Sequence, residues 1–140
     1  MMYVWVALGS AIGGVMRYAI SRMMEPVSQG IPWGTIVVNI TGCFIIGYFG
    51  TVTLAGGRFA EPPAVRIFVM VGICGGFTTF SSFSLQTFEL LRTGRWGLAL
   101  GNVLISVVVC LVAVGAGHRL AQRSVDRVAI VQTEDEEFTG

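Results

Sequence analysis

Long apolar runs alternate with short polar breaks along the whole chain. Four runs, at about residues 3–23, 33–54, 64–91 and 96–120, meet the length of roughly 20 residues that a helix needs to cross a bilayer core of about 30 Å. Glu25-Pro26 follows the first run and Pro62-Pro63 precedes the third. Since the connections are short, neighbouring helices should pack antiparallel. The pattern predicts an all-α integral membrane protein with four transmembrane helices.

Composition and charge narrow the class of protein further. Of the 140 residues, 54% are hydrophobic and 12% are charged, about half the charged fraction of a soluble domain. So few charges exclude a water-soluble globular monomer and a disordered chain. The net charge is +1 and the basic residues, all Arg, are scattered, so no nucleic-acid partner is expected. Because no basic residue precedes Tyr3 and no small-residue cleavage site follows the first run, we interpret that run as a span rather than a signal peptide.

The C-terminal part of the chain differs from the rest. We expect a four-helix channel domain over residues 1–123 and an acidic, solvated and mobile tail over residues 124–140. Four consecutive acidic residues, at positions 134–137, dominate this tail. Apolar spacing at Val125, Val128 and Val131 leaves open a continuation of the last helix by a turn or two.

Arginine counts bear on orientation in the membrane. Four spans place both termini on one membrane face, together with the loop between spans two and three. That face carries five Arg and the other face four, which gives almost no preference under the positive-inside rule. The first five are Arg58, Arg66, Arg119, Arg123 and Arg127. The other four are Arg17, Arg22, Arg92 and Arg95. The balance predicts insertion in both orientations, with a fixed orientation set by other signals as the alternative.

The third span is unusual in its middle. Gly75-Gly76 is followed by five hydroxyl residues between positions 78 and 84. A straight helix over residues 64–91 would measure roughly 42 Å, more than the bilayer core, so we expect a break near Gly75-Gly76. Broken backbone in a membrane offers carbonyls to cations and helix N-termini to anions. The alternative is a glycine-rich packing face whose hydroxyls bond back to carbonyls one turn earlier.

Particular residues in spans two, three and four also suggest a path for an anion. Asn39 must face protein or water at mid-membrane, either as an anion donor or in an interhelical hydrogen bond. Phe80 and Phe83 share one helix face, where positive ring edges favour an anion, although lipid-facing or core rings are equally compatible with their spacing. The stripe that contains Asn102, Ser106 and Cys110 in span four predicts close helix packing, a polar track, or both.

Several classes of chemistry lack the residues they need. No Asp or Glu lies at mid-membrane, where a proton-coupled exporter of cations would carry one. The single His, His118, lies near the end of span four, far in sequence from the hydroxyl cluster, so we predict no enzyme. The three cysteines, Cys43, Cys74 and Cys110, lack disulfide or metal spacing and are interpreted as small core residues.

Three motifs together resemble the CrcB/Fluc family of fluoride channels. They are Gly-Gly-Val-Met-Arg at 13–17, Gly-Thr-Ile-Val-Val-Asn at 34–39 and Gly-Gly-Phe-Thr-Thr-Phe-Ser-Ser-Phe-Ser at 75–84. The resemblance implies a dual-topology, antiparallel homodimer in the cell inner (plasma) membrane that exports fluoride passively down its electrochemical gradient. The alternatives are a four-span multidrug-type secondary transporter and a membrane scaffold that transports nothing.

The resemblance also implies roles for particular residues. Asn39, Phe80 and Phe83 match the fluoride path, and the hydroxyl run adds Thr79 and Ser82 to it. Along span four, Ser106 and, less closely, Asn102 and Cys110 fall on the family's polar track. The family also holds a structural Na⁺ at the dimer centre through backbone carbonyls, which correspond to Gly75 and Thr78 of each subunit. Cys110 departs from the pattern, because a thiol is a weaker donor than a hydroxyl.

Overall fold

The computed structural model describes residues 1–54 and 62–139, with side chains described as far as Arg127. Its helices are α1 (Met2–Met23), α2 (Trp33–Leu54), α3 (residues 63–77), α4 (Phe80–Arg92) and α5 (Trp96–Thr139). With α3 and α4 taken together as Pro63–Arg92, the described chain has four helices that are long and apolar enough to span a membrane. The prediction of an all-α chain with four apolar spans is confirmed. The predicted end of span two at residues 56–58 lies outside the described residues.

Local chemistry explains where the helices begin and end. A single 3₁₀ turn at Glu25–Val27, with Pro26 in it, follows α1, and Arg22 forms an ion pair with Glu25 there. The third span begins at Pro63, a position where a missing N–H costs nothing. Between α4 and α5 the chain turns at Gly94, whose φ of 73° suits glycine.

The α3 helix is not uniformly α-helical. Its first turn, Pro63–Arg66, is α-helical, Ile67–Cys74 winds as a π-helix, and Gly75–Phe77 returns to the α form. A π-helical stretch widens the turn and is rare outside functional sites. The irregular winding thus leads directly to the interruption between α3 and α4.

The interruption lies at Thr78–Thr79, a few residues beyond the predicted Gly75-Gly76. Thr78 has ψ of 156° and Thr79 has φ of −151°, both extended, whereas the two glycines remain helical. Packing explains the difference for Gly76: a Cβ there would lie 2.5 Å from the Ser10 carbonyl oxygen and 2.8 Å from its Cα. Gly76 is therefore required for the contact between α3 and α1, and the helix stops after it.

Glycines set two close helix contacts. In the first, Gly9 of α1 meets Gly72 of α3, since a Cβ on Gly9 would lie 2.8 Å from the Gly72 Cα. In the second, a Cβ on Gly47 of α2 would lie 3.0 Å from the Val114 Cα of α5. Small residues that let backbones approach are the usual basis of helix packing in membranes. The bundle is thus built from an α1–α3 pair and an α2–α5 pair.

The last helix is longer than its apolar run. It continues without interruption to Thr139, whereas the sequence suggested an extension of a turn or two beyond residue 120. The division at residue 124 between a channel domain and a mobile tail stays a prediction.

Candidate functional site

Asn39 holds the broken backbone in place. Its Oδ1 accepts a hydrogen bond from the Thr79 N–H at 2.8 Å, and its Nδ2 donates to the Thr79 carbonyl oxygen at 3.1 Å. The amide thus replaces the helical partners that the break removes from Thr79. Of the two readings left open by the sequence, the interhelical hydrogen bond is present. An amide nitrogen has two N–H groups, so one donor of Asn39 remains for another acceptor.

Hydroxyl groups around the break are used in two ways. Thr79 is the N-cap of α4: its Oγ1 accepts from the Ser82 N–H at 3.2 Å and lies 3.1 Å from the Ser82 hydroxyl. Thr78 instead donates its hydroxyl to the Cys74 carbonyl oxygen at 2.9 Å, and Ser84 donates to that of Phe80. The dense hydroxyl run is therefore partly local capping and back-bonding.

A cavity of about 320 Å³ opens beside the break, between α2, α4 and α5. The Phe80 and Phe83 rings stand at its edge with centroids 5.5 Å apart and planes tilted by 47°. Ser106, with 7% of its surface exposed, lines the same space, and its hydroxyl has no hydrogen-bond partner. The full lining is Asn39, Gly42, Cys43, Ile46, Cys74, Thr78, Thr79, Phe80, Phe83, Ser106, Val107 and Cys110.

The structure thus brings most of the predicted path residues together, but not all. Asn39, Thr79, Phe80, Phe83, Ser106 and Cys110 share the cavity, whereas Ser82 and Asn102 do not line it. Ser82 is linked to it through Thr79. Asn102 is fully buried, and its side-chain Nδ2 donates to the Thr87 hydroxyl at 2.8 Å. The side-chain oxygen Oδ1 of Asn102 has no partner.

Gln86 is a polar residue that the sequence reasoning overlooked. Its Oε1 is buried without a hydrogen-bond partner, and the side chain lines a second cavity of about 500 Å³ near the α1–α2 turn. Arg22, Glu25, Glu89 and Arg95 line that cavity as well, so it combines charges of both signs with an unpaired amide. The signal was present, because Gln86 follows Phe83 by three positions and lies in an apolar span.

The two helices α2 and α5 run parallel in a fixed register. Thr51 Oγ1 lies 2.7 Å from His118 Nδ1, a pair separated by 67 residues in the chain. Gly47 and Val114, one turn earlier on both helices, have the same separation and touch through their backbones. Two further pairs with the same separation, Cys43 with Cys110 and Asn39 with Ser106, line one cavity between these helices. Thr35 and Asn102, which are both buried, continue the series by one more turn. The polar stripe of span four therefore lies on the side of α5 that packs against α2.

Thr51 has a second hydrogen-bond partner besides His118. Its hydroxyl donates to the Gly47 carbonyl oxygen at 2.7 Å. His118, an exposed residue predicted to be interfacial, also joins α5 to α2.

Backbone carbonyls near the break differ in their partners. The Gly76 carbonyl oxygen accepts from Arg17 Nε at 3.1 Å. In a continuing helix the Thr79 N–H would bond the Gly75 carbonyl, but here it donates to Asn39. Gly75 is exposed, with open space where a Cβ would stand. Among the described residues, no group of three or more His, Cys, Asp or Glu side chains is arranged to hold a metal ion.

Comparison with known proteins gives a consistent result. The family described as CrcB-like protein, Camphor Resistance (CrcB), matches residues 4–118. A protein of Methylobacterium radiotolerans named fluoride-specific ion channel FluC is 55% identical over 116 residues, covering 83% of this chain and 81% of its own. A protein of the same name from Methylocella silvestris is 51% identical over 120 residues, covering 85% of this chain and 92% of its own. One from Gluconobacter oxydans is 49% identical over 134 residues, covering 94% of this chain and 93% of its own.

Proposed function

The chain belongs to the CrcB-like family, and on this premise we propose that it is a fluoride channel that lets the ion leave the cell passively, down its electrochemical gradient. Relatives about half identical to it carry the name of such a channel. A multi-pass membrane protein is consistent with the four apolar helices and with the many large apolar side chains on the surface. We place it in the cell inner membrane.

One observation carries the assignment of the path: Ser106, whose buried hydroxyl has no partner, lines the same cavity as Asn39 and the Phe80–Phe83 pair. A small, strongly hydrated anion needs donors to replace the water it loses. Ser106 and the remaining N–H of Asn39 supply two donors, and the positive ring edges of the phenylalanines supply further attraction. Apolar rings beside a narrow path would disfavour the larger chloride ion by size.

We propose that two copies assemble antiparallel to complete the path. In a single chain Phe80 is 79% exposed, although it stands beside the cavity, and Gly75 next to the break is exposed as well. A second copy that packs against this face would enclose both residues. The near-equal distribution of Arg over the two membrane faces supports insertion in both orientations, which such a dimer needs.

The residues at the break are suited to a structural Na⁺ at the centre of that dimer. The Gly75 carbonyl has lost its usual helical donor to Asn39, and the backbone there is open to a neighbour. Hard carbonyl oxygens are good ligands for a hard monovalent cation, which would satisfy groups that are costly to leave unpaired in a dry interior. Gly75 and Thr78 of each copy would hold the ion.

Fluoride efflux from liposomes tests the proposal. Vesicles that contain the purified protein are loaded with potassium fluoride, valinomycin starts the efflux, and a fluoride electrode records it. We expect rapid efflux with little chloride flux in the matched chloride experiment. Equal rates for the two halides would refute selectivity, and proton-coupled uptake of a lipophilic cation would favour the transporter alternative. Crosslinking of single-cysteine variants tests the dimer, and exclusively parallel crosslinks would refute the antiparallel arrangement.

A further inference from the structure

The cavity beside the break contains all three cysteines of the chain, each from a different helix. Cys43 of α2 and Cys110 of α5 are half-buried, and Cys74 of α3 is buried. Nothing in the sequence connects them, because their spacing matches neither a disulfide pattern nor a metal motif. The fold nevertheless places them around one space that a small ion can enter.

Cys43 and Cys110 line the same cavity from two adjacent helices. They occupy equivalent turns of the parallel α2–α5 pair, one turn before the backbone contact of Gly47 with Val114. On the other side, Asn39 and Ser106 line the same cavity. The shared separation of 67 residues therefore places Cys43 and Cys110 on matching turns of the two helices.

The chemistry of two facing thiols differs from that of the sodium site. Thiolates prefer soft metal ions, and two sulfur ligands are enough to bind Cu⁺ or Ag⁺ in a linear arrangement. When one such cation binds, one thiol loses its proton to water and the other keeps its proton. The product is a neutral S–M–S unit, so no net charge is buried in the membrane. A tetrahedral dication would need further anionic ligands, and the described part of the cavity has none besides Cys74.

From this geometry we infer that Cys43 and Cys110 form a two-coordinate binding site for a soft monovalent cation of the Cu⁺ or Ag⁺ class. Ser106, whose unpaired hydroxyl lies one turn before Cys110, faces the same cavity. A cation held between the thiols therefore occupies the space next to the residues proposed to pass fluoride. The consequence for transport, a block of fluoride efflux, rests on the proposed function.

Silver binding tests the site directly. The purified protein is mixed with silver nitrate in a chloride-free buffer and desalted, and the retained silver is measured by elemental analysis. We expect about one silver ion per chain, and at least a roughly tenfold lower retention in Cys43→Ser and in Cys110→Ser. Cys74→Ser is the matched control and should retain as much silver as the unchanged chain. Full retention by the Cys43→Ser, Cys110→Ser double variant, or its loss in Cys74→Ser, would overturn the site.

A second measurement needs no variant and so does not depend on how the substitutions fold. Silver should protect Cys43 and Cys110 of the unchanged protein from a small maleimide, as read from labelled peptides by mass spectrometry. Equal labelling of both residues with and without silver would contradict the inference.

Fluoride efflux in nitrate medium tests the consequence separately, with each variant compared with its own silver-free rate. Silver should slow efflux at least about tenfold in the unchanged chain and in Cys74→Ser, and leave Cys43→Ser unaffected. A protein that retains silver but passes no fluoride would refute the proposed function and would still support the silver site. One that passes fluoride but retains no silver would refute the site alone.

Discussion

Replacement of Ser106 by alanine should change stability and transport in opposite directions. Ser106 is 93% buried and lines the cavity beside Asn39 and the phenylalanine pair, and its hydroxyl has no hydrogen-bond partner in the described chain. If it serves only packing, its removal relieves an unsatisfied polar group. If it serves the ion, its removal also takes away a donor that fluoride needs during passage.

The expected sizes follow from the burial and the missing partner. An unsatisfied buried polar group costs roughly 1–3 kcal/mol, so Ser106→Ala should raise the free energy of unfolding by up to that amount. A hydrogen bond to a charged group contributes roughly 1.5–3 kcal/mol. Its loss at the barrier for permeation should lower fluoride flux about 10- to 100-fold, because each 1.4 kcal/mol or so corresponds to a factor of ten.

Two measurements on one preparation distinguish a packing role of the Ser106 hydroxyl from a role in fluoride passage. Unfolding in sodium dodecyl sulfate followed by circular dichroism gives the stability, and the fluoride electrode gives the efflux rate per reconstituted protein. Ser124→Ala is the matched control on the same helix, since this exposed hydroxyl donates to the Leu120 carbonyl oxygen and lies outside the cavity. Unchanged flux in Ser106→Ala, or a clear loss of stability, would refute the reasoning.

Three further predictions concern other parts of the molecule. Phe80→Ile and Phe83→Ile should each reduce fluoride efflux severely because the positive ring edges are lost. Phe88→Ile, on the same helix but outside the cavity, should leave efflux unchanged. Equal effects of the three substitutions would refute the role of the pair. Gly13→Ala should lower the melting temperature in detergent, since its Cβ would lie 2.7 Å from the Phe77 backbone nitrogen. Gly14→Ala, whose Cβ would meet nothing within 4 Å, should raise the melting temperature slightly. The reverse order of the two melting temperatures would refute the packing argument. Purification with a larger monovalent cation in place of Na⁺ should weaken efflux, and unchanged flux after verified sodium removal would refute the sodium site.

The helices could be predicted from the sequence because they depend on run length and hydropathy alone. A break in the third span was also predictable, since glycines and hydroxyls weaken a helix and the span was too long. Its position was not, because a contact with another helix can hold a glycine in helical form. Gly76 packs against Ser10, so the chain stays helical there and opens at Thr78–Thr79.

The partners of the polar residues were harder to predict than the residues themselves. Asn39 was recognisable as an amide that needs a partner at mid-membrane, but nothing in the sequence indicated Thr79, 40 residues away. The polar stripe on α5 was visible in the sequence, whereas the register in which it packs against α2 depends on a glycine contact between the two helices. The cavity beside Gln86 and the missing partner of its side chain exist only in the folded chain.

The fixed pairing of α2 with α5 has a consequence for how the gene can change in length. An insertion or deletion in the turns that precede these helices shifts the numbering but leaves every facing pair intact. Inside either helix, one added or lost codon rotates everything beyond it by about 100° and separates all later pairs at once. A library of single-codon deletions should therefore survive fluoride selection in the connections and fail between residues 35 and 51 and between 102 and 118.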